Sequence, residues 1–282
     1  MSKNLKRKDW AAEFFKLTIR YLHRRNLTAA VGRLAHAQLP FGLGAKSVAW
    51  FAKRFDLEMS EAEKPLKEYK NVAELFRRKM KPGLRPIGNG LVHPVDGFLV
   101  DGGVILSDQL IQAKGKDYSL QELVGDKAWA ADLIDGHLLT YYLSPKDYHH
   151  VHSPIDGKAI ANRHFAGDLW PVNPWSLSTH PRIFTENERI LVYCRVDSIP
   201  VLIILVGAVA VGKISLAFCS TTNSSKEGVV TFDSPIEISK GEAIGSFEMG
   251  STVLLLYGKG LVPRGAKLNE GLTRYGGSLI SL

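Results

Sequence analysis

Three short stretches of this 282-residue sequence hold side chains whose types and spacing suit chemistry. Tyr148-His149-His150-Val151-His152 carries three of the nine histidines. In an extended segment His150 and His152 share one face, and His149 takes the other. Imidazoles suit proton transfer near neutral pH. A metal site is the competing use, but no cysteine or ordered acidic cluster accompanies the histidines, and His-x-His alone is weak evidence for one. A merely solvated or structural role is the third reading. The second stretch, Glu248-Met249-Gly250-Ser251-Thr252, stands directly before an apolar run. A Gly-Ser step there is commonly a turn, and it lacks the Gly-x-Ser-x-Gly elbow of α/β hydrolases. The third is Asp96 in His93-Pro94-Val95-Asp96-Gly97, one acid among 28 and without weight by itself.

These residues must be positioned by what surrounds them. Trp10, Phe14, Leu17 and Tyr21 fall at helical spacing among Lys6, Arg7, Lys8, Lys16, Arg20, Arg24 and Arg25. This is the pattern of a basic amphipathic helix at a membrane interface, with an ordinary packed helix as the plainer reading. Val48, Phe51, Ala52 and Phe55 mark another helix. A third starts at Asn71, a good N-cap with Glu74 three residues on, and should stop by Lys81-Pro82-Gly83. After Pro86 the texture changes. Gly97–Leu106, Leu138–Leu143, Ile190–Val196, Val201–Val211, Ile214–Phe218 and Thr252–Tyr257 read as strands. The expected fold is therefore α+β, with a helical basic region over 1–86 and a β-rich core over 87–282. His93-Pro94-Val95-Asp96-Gly97 echoes Ser153-Pro154-Ile155-Asp156-Gly157, a candidate pseudo-duplicated unit, although Pro-x-Asp-Gly is also a generic turn.

Charge follows the same division. Residues 1–86 hold 20 Lys/Arg against 8 Asp/Glu, and residues 87–282 hold 16 against 20, so the net +8 is +12 in front and −4 behind. A basic front attracts nucleic acid and anionic lipid alike. Two cysteines are too few for a disulfide scaffold and point to a reducing compartment. The longest apolar run, Ile199 to Gly212, is shorter than the ~20 residues a spanning helix needs.

Together, His149, His152, Gly250-Ser251-Thr252 and Asp96 resemble the pattern of the phosphatidylserine decarboxylases, in particular their bacterial-type members, from about Ala45 to Gly260. The resemblance extends through Leu75-Phe76-Arg77, Arg85-Pro86-Ile87, Gln112-Ala113-Lys114-Gly115, Tyr142 to His152, Asn187-Glu188-Arg189 and Val206-Gly207-Ala208. One departure is Met249 where the family has Leu, a volume-conserving change in a side chain that is not a reactant.

The resemblance implies a proenzyme that cuts itself between Gly250 and Ser251. Ser251 Oγ would attack the unhindered Gly250 carbonyl, with His152 as base and Asp96 orienting His152 in the logic of a serine triad. β-Elimination and loss of ammonia would leave a pyruvoyl group at 251, a covalent cofactor made from Ser251. Its ketone would condense with the serine amine of phosphatidylserine and accept the electrons released with CO2. His149 would position the carboxylate or return the proton. No metal enters this scheme. The implied partners are phosphatidylserine and an anionic membrane surface rather than nucleic acid, with α and β chains cut from one proenzyme and a homodimer as a family expectation. The implied location is peripheral, on the cytoplasmic face of a bacterial cell membrane. Two other readings stay beside it: a non-catalytic anionic-lipid-binding module with an inert Gly-Ser turn, and a pyruvoyl decarboxylase of a soluble amino acid.

Overall fold

The computed structural model describes residues 24–280 apart from 114–115, 181, 210–212, 221, 223–225 and 249–250. The Trp10 to Tyr21 stripe lies outside the described residues, as do Met249 and Gly250.

The front of the chain is helical. α1 (Arg24–His36) and α2 (Leu43–Phe55) are followed by a 3-10 turn (Leu66–Glu68) and α3 (Val72–Phe76). Val48, Phe51 and Ala52 turn one stripe of α2 onto Leu57, Tyr69, Leu75 and Phe76, forming a small apolar core. Asn71 caps α3 as the sequence suggests, its Oδ1 accepting from Glu74 N at 2.8 Å. Glu74 Oε2 accepts from Lys70 N (2.9 Å), one residue beyond the N-cap N–H that the usual capping box uses. The helix ends at Phe76, well before the proline, with Arg77 N and Arg78 N closing onto Ala73 O and Leu75 O.

The body is a β structure. Its thirteen described strands run β1 (Gly97–Val104), β2 (Gln109–Ala113), β3 (Lys116–Ser119), β4 (His137–Leu143), β5 (His150–His152), β6 (Gly157–Phe165), β7 (Arg189–Val196), β8 (Ile199–Val206), β9 (Ile214–Leu216), β10 (Gly228–Ile238), β11 (Ala243–Phe247), β12 (Ser251–Tyr257) and β13 (Gly271–Thr273). Eight form one antiparallel sheet in the order β10-β6-β7-β8-β12-β4-β1-β13, three form a smaller sheet β5-β11-β9, and β2-β3 is a hairpin. Short helices α4 (Leu120–Val124), α5 (Lys127–Leu133), α6 (Pro174–Thr179) and α7 (Ile183–Glu186) join the strands. All seven residues of β12 and seven of the eight in β8 are buried, so the sheet centre is covered on both faces. Leu120, Leu123 and Leu133 of the helices and Val151, Ile244 and Phe247 of the small sheet pack into that same core.

Both Pro-x-Asp-Gly turns feed strands of the large sheet, β1 and β6, each second from an edge. The turns bond to each other reciprocally: Val92 N donates to Pro154 O (3.2 Å) and His152 N to Pro94 O (2.8 Å). Gly97 and Gly157 suit these positions because a Cβ would fall 2.7 Å from Tyr142 O and 2.5 Å from Arg195 O respectively. The Val201–Val211 run is shorter than expected as a strand. It stops at Val206, and Gly207 N turns to Glu188 O.

Because β12 carries Ser251 at its head, its anchorage sets that residue's position. Leu254→Ala, wholly buried, should cost about 2–5 kcal/mol of unfolding free energy in urea. Val229→Ala on the half-exposed face of edge strand β10 should stay within about 0.5 kcal/mol.

Candidate active site

The small sheet brings the histidine stretch to the serine stretch. β11 pairs antiparallel with β5, with Ala243 opposite His152 and Ser246 opposite His150. One step on, Phe247 N donates to His149 O (3.0 Å). The chain then passes Glu248 and enters β12 at Ser251, which lies opposite Leu143 on β4. Glu248 ties this passage to the helical front, with Oε2 3.4 Å from His36 Nε2 and Oε1 3.5 Å from Arg77 Nη1.

Ser251 is fully buried, and its Oγ has no hydrogen-bond partner among the described residues. Leaving a buried hydroxyl unsatisfied costs about 1–3 kcal/mol, so the position calls for an explanation.

His149 is also fully buried, its ring against Phe76 with centroids 4.0 Å apart. Its Nδ1 lies 2.8 Å from Asp147 O. A carbonyl only accepts, so Nδ1 carries the proton and Nε2 the lone pair. That Nε2 is buried without a partner. Burial, aided by the Arg78 charge, lowers this imidazole to about 3. His152 follows the same logic. Its Nδ1 donates to Gly241 O (2.7 Å), its Nε2 is 3.3 Å from Tyr148 Oη, and its ring lies parallel to Tyr275 at 3.8 Å. Burial lowers it to about 4, with Asp96 pulling weakly the other way. Both imidazoles are therefore neutral, with His149 Nε2 unpartnered among the described residues and His152 Nε2 facing Tyr148 Oη. His150 differs, with Nε2 on Arg77 O (3.2 Å) and its ring stacked on Tyr148.

Asp96 corrects one expectation. A direct carboxylate–imidazole bond to His152 is not formed, because His152 Nδ1 is taken by Gly241. The buried Asp96 carboxylate instead accepts from Arg85 Nη2 (2.7 Å), Arg274 Nη1 (3.0 Å) and Tyr275 N (2.9 Å). It reaches His152 at one remove, through the Tyr275 ring and the Pro94 carbonyl bonded to His152 N. Asp156 in the other turn is mostly exposed and accepts from Lys240 N. Tyr275 and Arg274 were not legible as site residues. Their segment reads only as a Gly-Gly turn, and nothing local signals a partner 179 positions away. Among the described residues no group of three or more His, Cys, Asp or Glu is placed to hold a metal.

The family model of phosphatidylserine decarboxylase matches residues 72–280, from α3 through the whole β body. The chain belongs to the phosphatidylserine decarboxylase family. It is an enzyme of that family. Among its relatives is the phosphatidylserine decarboxylase proenzyme of Anaeromyxobacter sp. (strain K), 36% identical over 267 residues, covering 92% of this chain and 94% of the relative. The proenzymes of Shewanella sediminis (36% identical, 93% and 96% covered) and Vibrio vulnificus strain YJ016 (38%, 85% and 88%) are similar over comparable lengths. The phosphatidylserine decarboxylase match thus takes in Asp96, His149, His152, Gly250 and Ser251 within one aligned region.

The burial of the imidazoles has a measurable consequence. The folded values near 3 and 4 lie below the ordinary value near 6.5, so the unfolded chain binds more protons between them. Stability should therefore fall as pH drops from about 6.5 towards 4, read as the urea midpoint. In the folded protein the ring proton resonances of His149 and His152 should not titrate between pH 8 and 5.

Proposed function

We propose that this enzyme decarboxylates phosphatidylserine to phosphatidylethanolamine with a pyruvoyl group that it makes from its own Ser251. The observation that carries the reading is the buried, unpartnered Ser251 Oγ at the head of β12, four residues after Phe247, whose N–H bonds the His149 carbonyl. A hydroxyl in that setting fits a group awaiting conversion better than one serving the fold.

Maturation follows from these residues. His152 Nε2 takes the Ser251 proton as Oγ attacks the Gly250 carbonyl, and the peptide becomes an ester with the Ser251 nitrogen freed. Neighbouring nucleophile and electrophile need no encounter, a term worth roughly 7–11 kcal/mol in well-oriented cases. Loss of the Ser251 α proton expels the Gly250 carboxylate. The resulting dehydroalanine takes up one water and releases one ammonia. Tyr275 and Tyr148 hold the His152 ring in place, and Asp96 acts as a positioning residue behind Tyr275.

When present, the pyruvoyl ketone supplies an electron sink for the bond broken on CO2 loss. Around it this chain excludes water, since Ser251, Thr252 and His149 are buried. His149 Nε2 is the proton carrier proposed for the substrate carbon, held in one tautomer by Asp147 O. We read the reciprocal turns at 92–97 and 152–157 as halves of a duplicated unit in which the Asp96 half serves the site.

The helical front is proposed to dock on anionic membrane. No helix among the described residues is long and apolar enough to cross a bilayer. Phe41 is 95% and Trp50 63% exposed, beside Leu34, Leu39 and Leu43. Arg33, Lys46, Lys53 and Arg54 are exposed on the same elements. Each basic residue near such a surface adds about 1 kcal/mol, screened by salt. The cytoplasmic face suits that charge. The α and β chains would stay together through β12, and a homodimer is the family expectation.

Intact mass tests the central step. The expected products are residues 1–250 and a 251–282 chain lighter by one ammonia than a Ser-started peptide; a free serine amino terminus would overturn the pyruvoyl. Ser251→Ala should stay uncut and be at least as stable, because it removes an unsatisfied buried hydroxyl. Asp96→Asn should slow cutting by at least about tenfold and Asp156→Asn by less than about twofold, the reverse ranking contradicting the role given to Asp96. For the membrane, Phe41→Ala with Trp50→Ala should weaken binding to phosphatidylserine vesicles and leave self-cleavage intact. Equal binding to neutral vesicles, unmoved by salt, would remove the electrostatic part.

A further inference from the structure

Arg78 is buried, at 4% exposure, and Asp147, Asp96 and Glu61 act on it only from beyond ion-pair distance. Its Nη2 donates to two backbone carbonyls, Lys146 O at 2.7 Å and Asp147 O at 3.3 Å. Its Nη1 has no hydrogen-bond partner, and no carboxylate closes an ion pair with it among the described residues. A guanidinium withdrawn from water normally requires an anion or a full set of acceptors. Here burial alone pulls its pKa down.

The side chain lines a cavity of about 220 Å³ on the helical front, together with Lys64, Arg77, Lys79, Glu63 and Glu74. Four cations face two carboxylates, and the local pairings sharpen the imbalance. Glu74 is engaged by Lys64 Nζ (3.5 Å) and Lys70 N, and Arg77 by Glu248. That leaves Arg78 and Lys79 against Glu63, none of them in an ion pair among the described residues.

We propose that this cavity is a phosphate subsite, taking the phosphodiester of an anionic lipid head group between Arg78 and Lys79. The inference rests on the decarboxylase reading above, and its location supports that. Phe76 lies on the His149 ring, and Arg77 O accepts or faces His150 Nε2 at 3.2 Å. The Asp147 carbonyl that fixes His149 also receives Arg78. Arg77 touches Glu248, three residues ahead of Ser251. A serine head group has its phosphate only a few bonds from its amine and carboxylate. An anion held by residues 78 and 79 therefore leaves the reacting carbon on the histidine side. Guanidinium–phosphate pairing, bidentate where geometry allows, is the strong form of such recognition.

The test is a calorimetric titration of the full chain with glycerophosphoglycerol, a soluble phosphodiester without amine or carboxylate. It needs no decarboxylation, so its failure is separable from failure of the proposed function. Saturable binding is expected, weakened about tenfold or more by Arg78→Gln and severalfold by Lys79→Ala. No binding, or binding unchanged in both variants, would overturn the subsite. Binding of inorganic phosphate with none of the diester would overturn the lipid as its source. Arg78→Gln removes a buried contact, so Lys79→Ala, on an exposed side chain, keeps the test alive if the first variant misfolds. On phosphatidylserine in mixed micelles Lys79→Ala should raise KM severalfold with kcat held. A fall in kcat with KM unchanged would contradict it.

Discussion

Two backbone hydrogen bonds join the turns at 92–94 and 152–154, and the geometry of the candidate site hangs from them. Val92 donates to Pro154 and His152 to Pro94, so each turn supplies one donor and one acceptor at matching positions. A second pair of segments closes over them in the same manner. His93 exchanges bonds with Gly276 and Gly277, and Ser153 with Gly241 and Glu242. This lattice brings Tyr275 onto the face of the His152 ring and the Gly241 carbonyl onto its Nδ1. The Gly241 contact needs no second side chain to find its place. The tautomer of His152 is set by main chain, which is stiffer than a carboxylate on a rotatable stem.

The two halves of the lattice differ where it matters. Asp96 is buried and met by two guanidinium groups and a backbone N–H, whereas Asp156 is open to water with one N–H and a distant lysine. A carboxylate taken out of water needs such compensation. Once compensated, it fixes Arg85, Arg274 and Tyr275 together beside His152. Its influence on the imidazole is thus mainly one of placement, its electrostatic pull against burial being smaller than that of the Gly241 hydrogen bond. Burial does the rest. By denying the charged form its solvation it leaves His149 and His152 neutral, and it leaves the Ser251 hydroxyl without a partner among the described residues.

The sequence made the strands of the sheet centre legible because β4, β7, β8 and β12 are continuous apolar runs. It hid β6, β10 and β13, whose mixed composition reflects an edge or near-edge setting; pairing, not pattern, makes them strands. At the site, Asp96, His149, His152 and Ser251 were visible through a motif resemblance, while Tyr275, Arg274 and Gly241 were not. Tyr275 acts through a ring face and its N–H, Gly241 through its carbonyl and Arg274 through an ion pair across 178 positions, and such contacts leave no residue-type signature at fixed spacing. α3 stops at Phe76, inside the bound that Lys81-Pro82-Gly83 sets, and its last residue lays its ring on His149, a tertiary contact that the local pattern does not signal.

That early stop gives the helical front a second role besides offering an outer surface. Phe76 lies on one histidine, the Arg77 carbonyl on the next, and His36 and Arg77 on Glu248, which leads into β12. These are short, direct contacts between a small separate core and the passage that contains the Gly-Ser step. The front's own core holds seven buried apolar residues against more than forty in the body, so it is the more easily displaced of the two. The front and the passage into β12 are therefore joined directly through four side chains and one carbonyl, with no long relay needed.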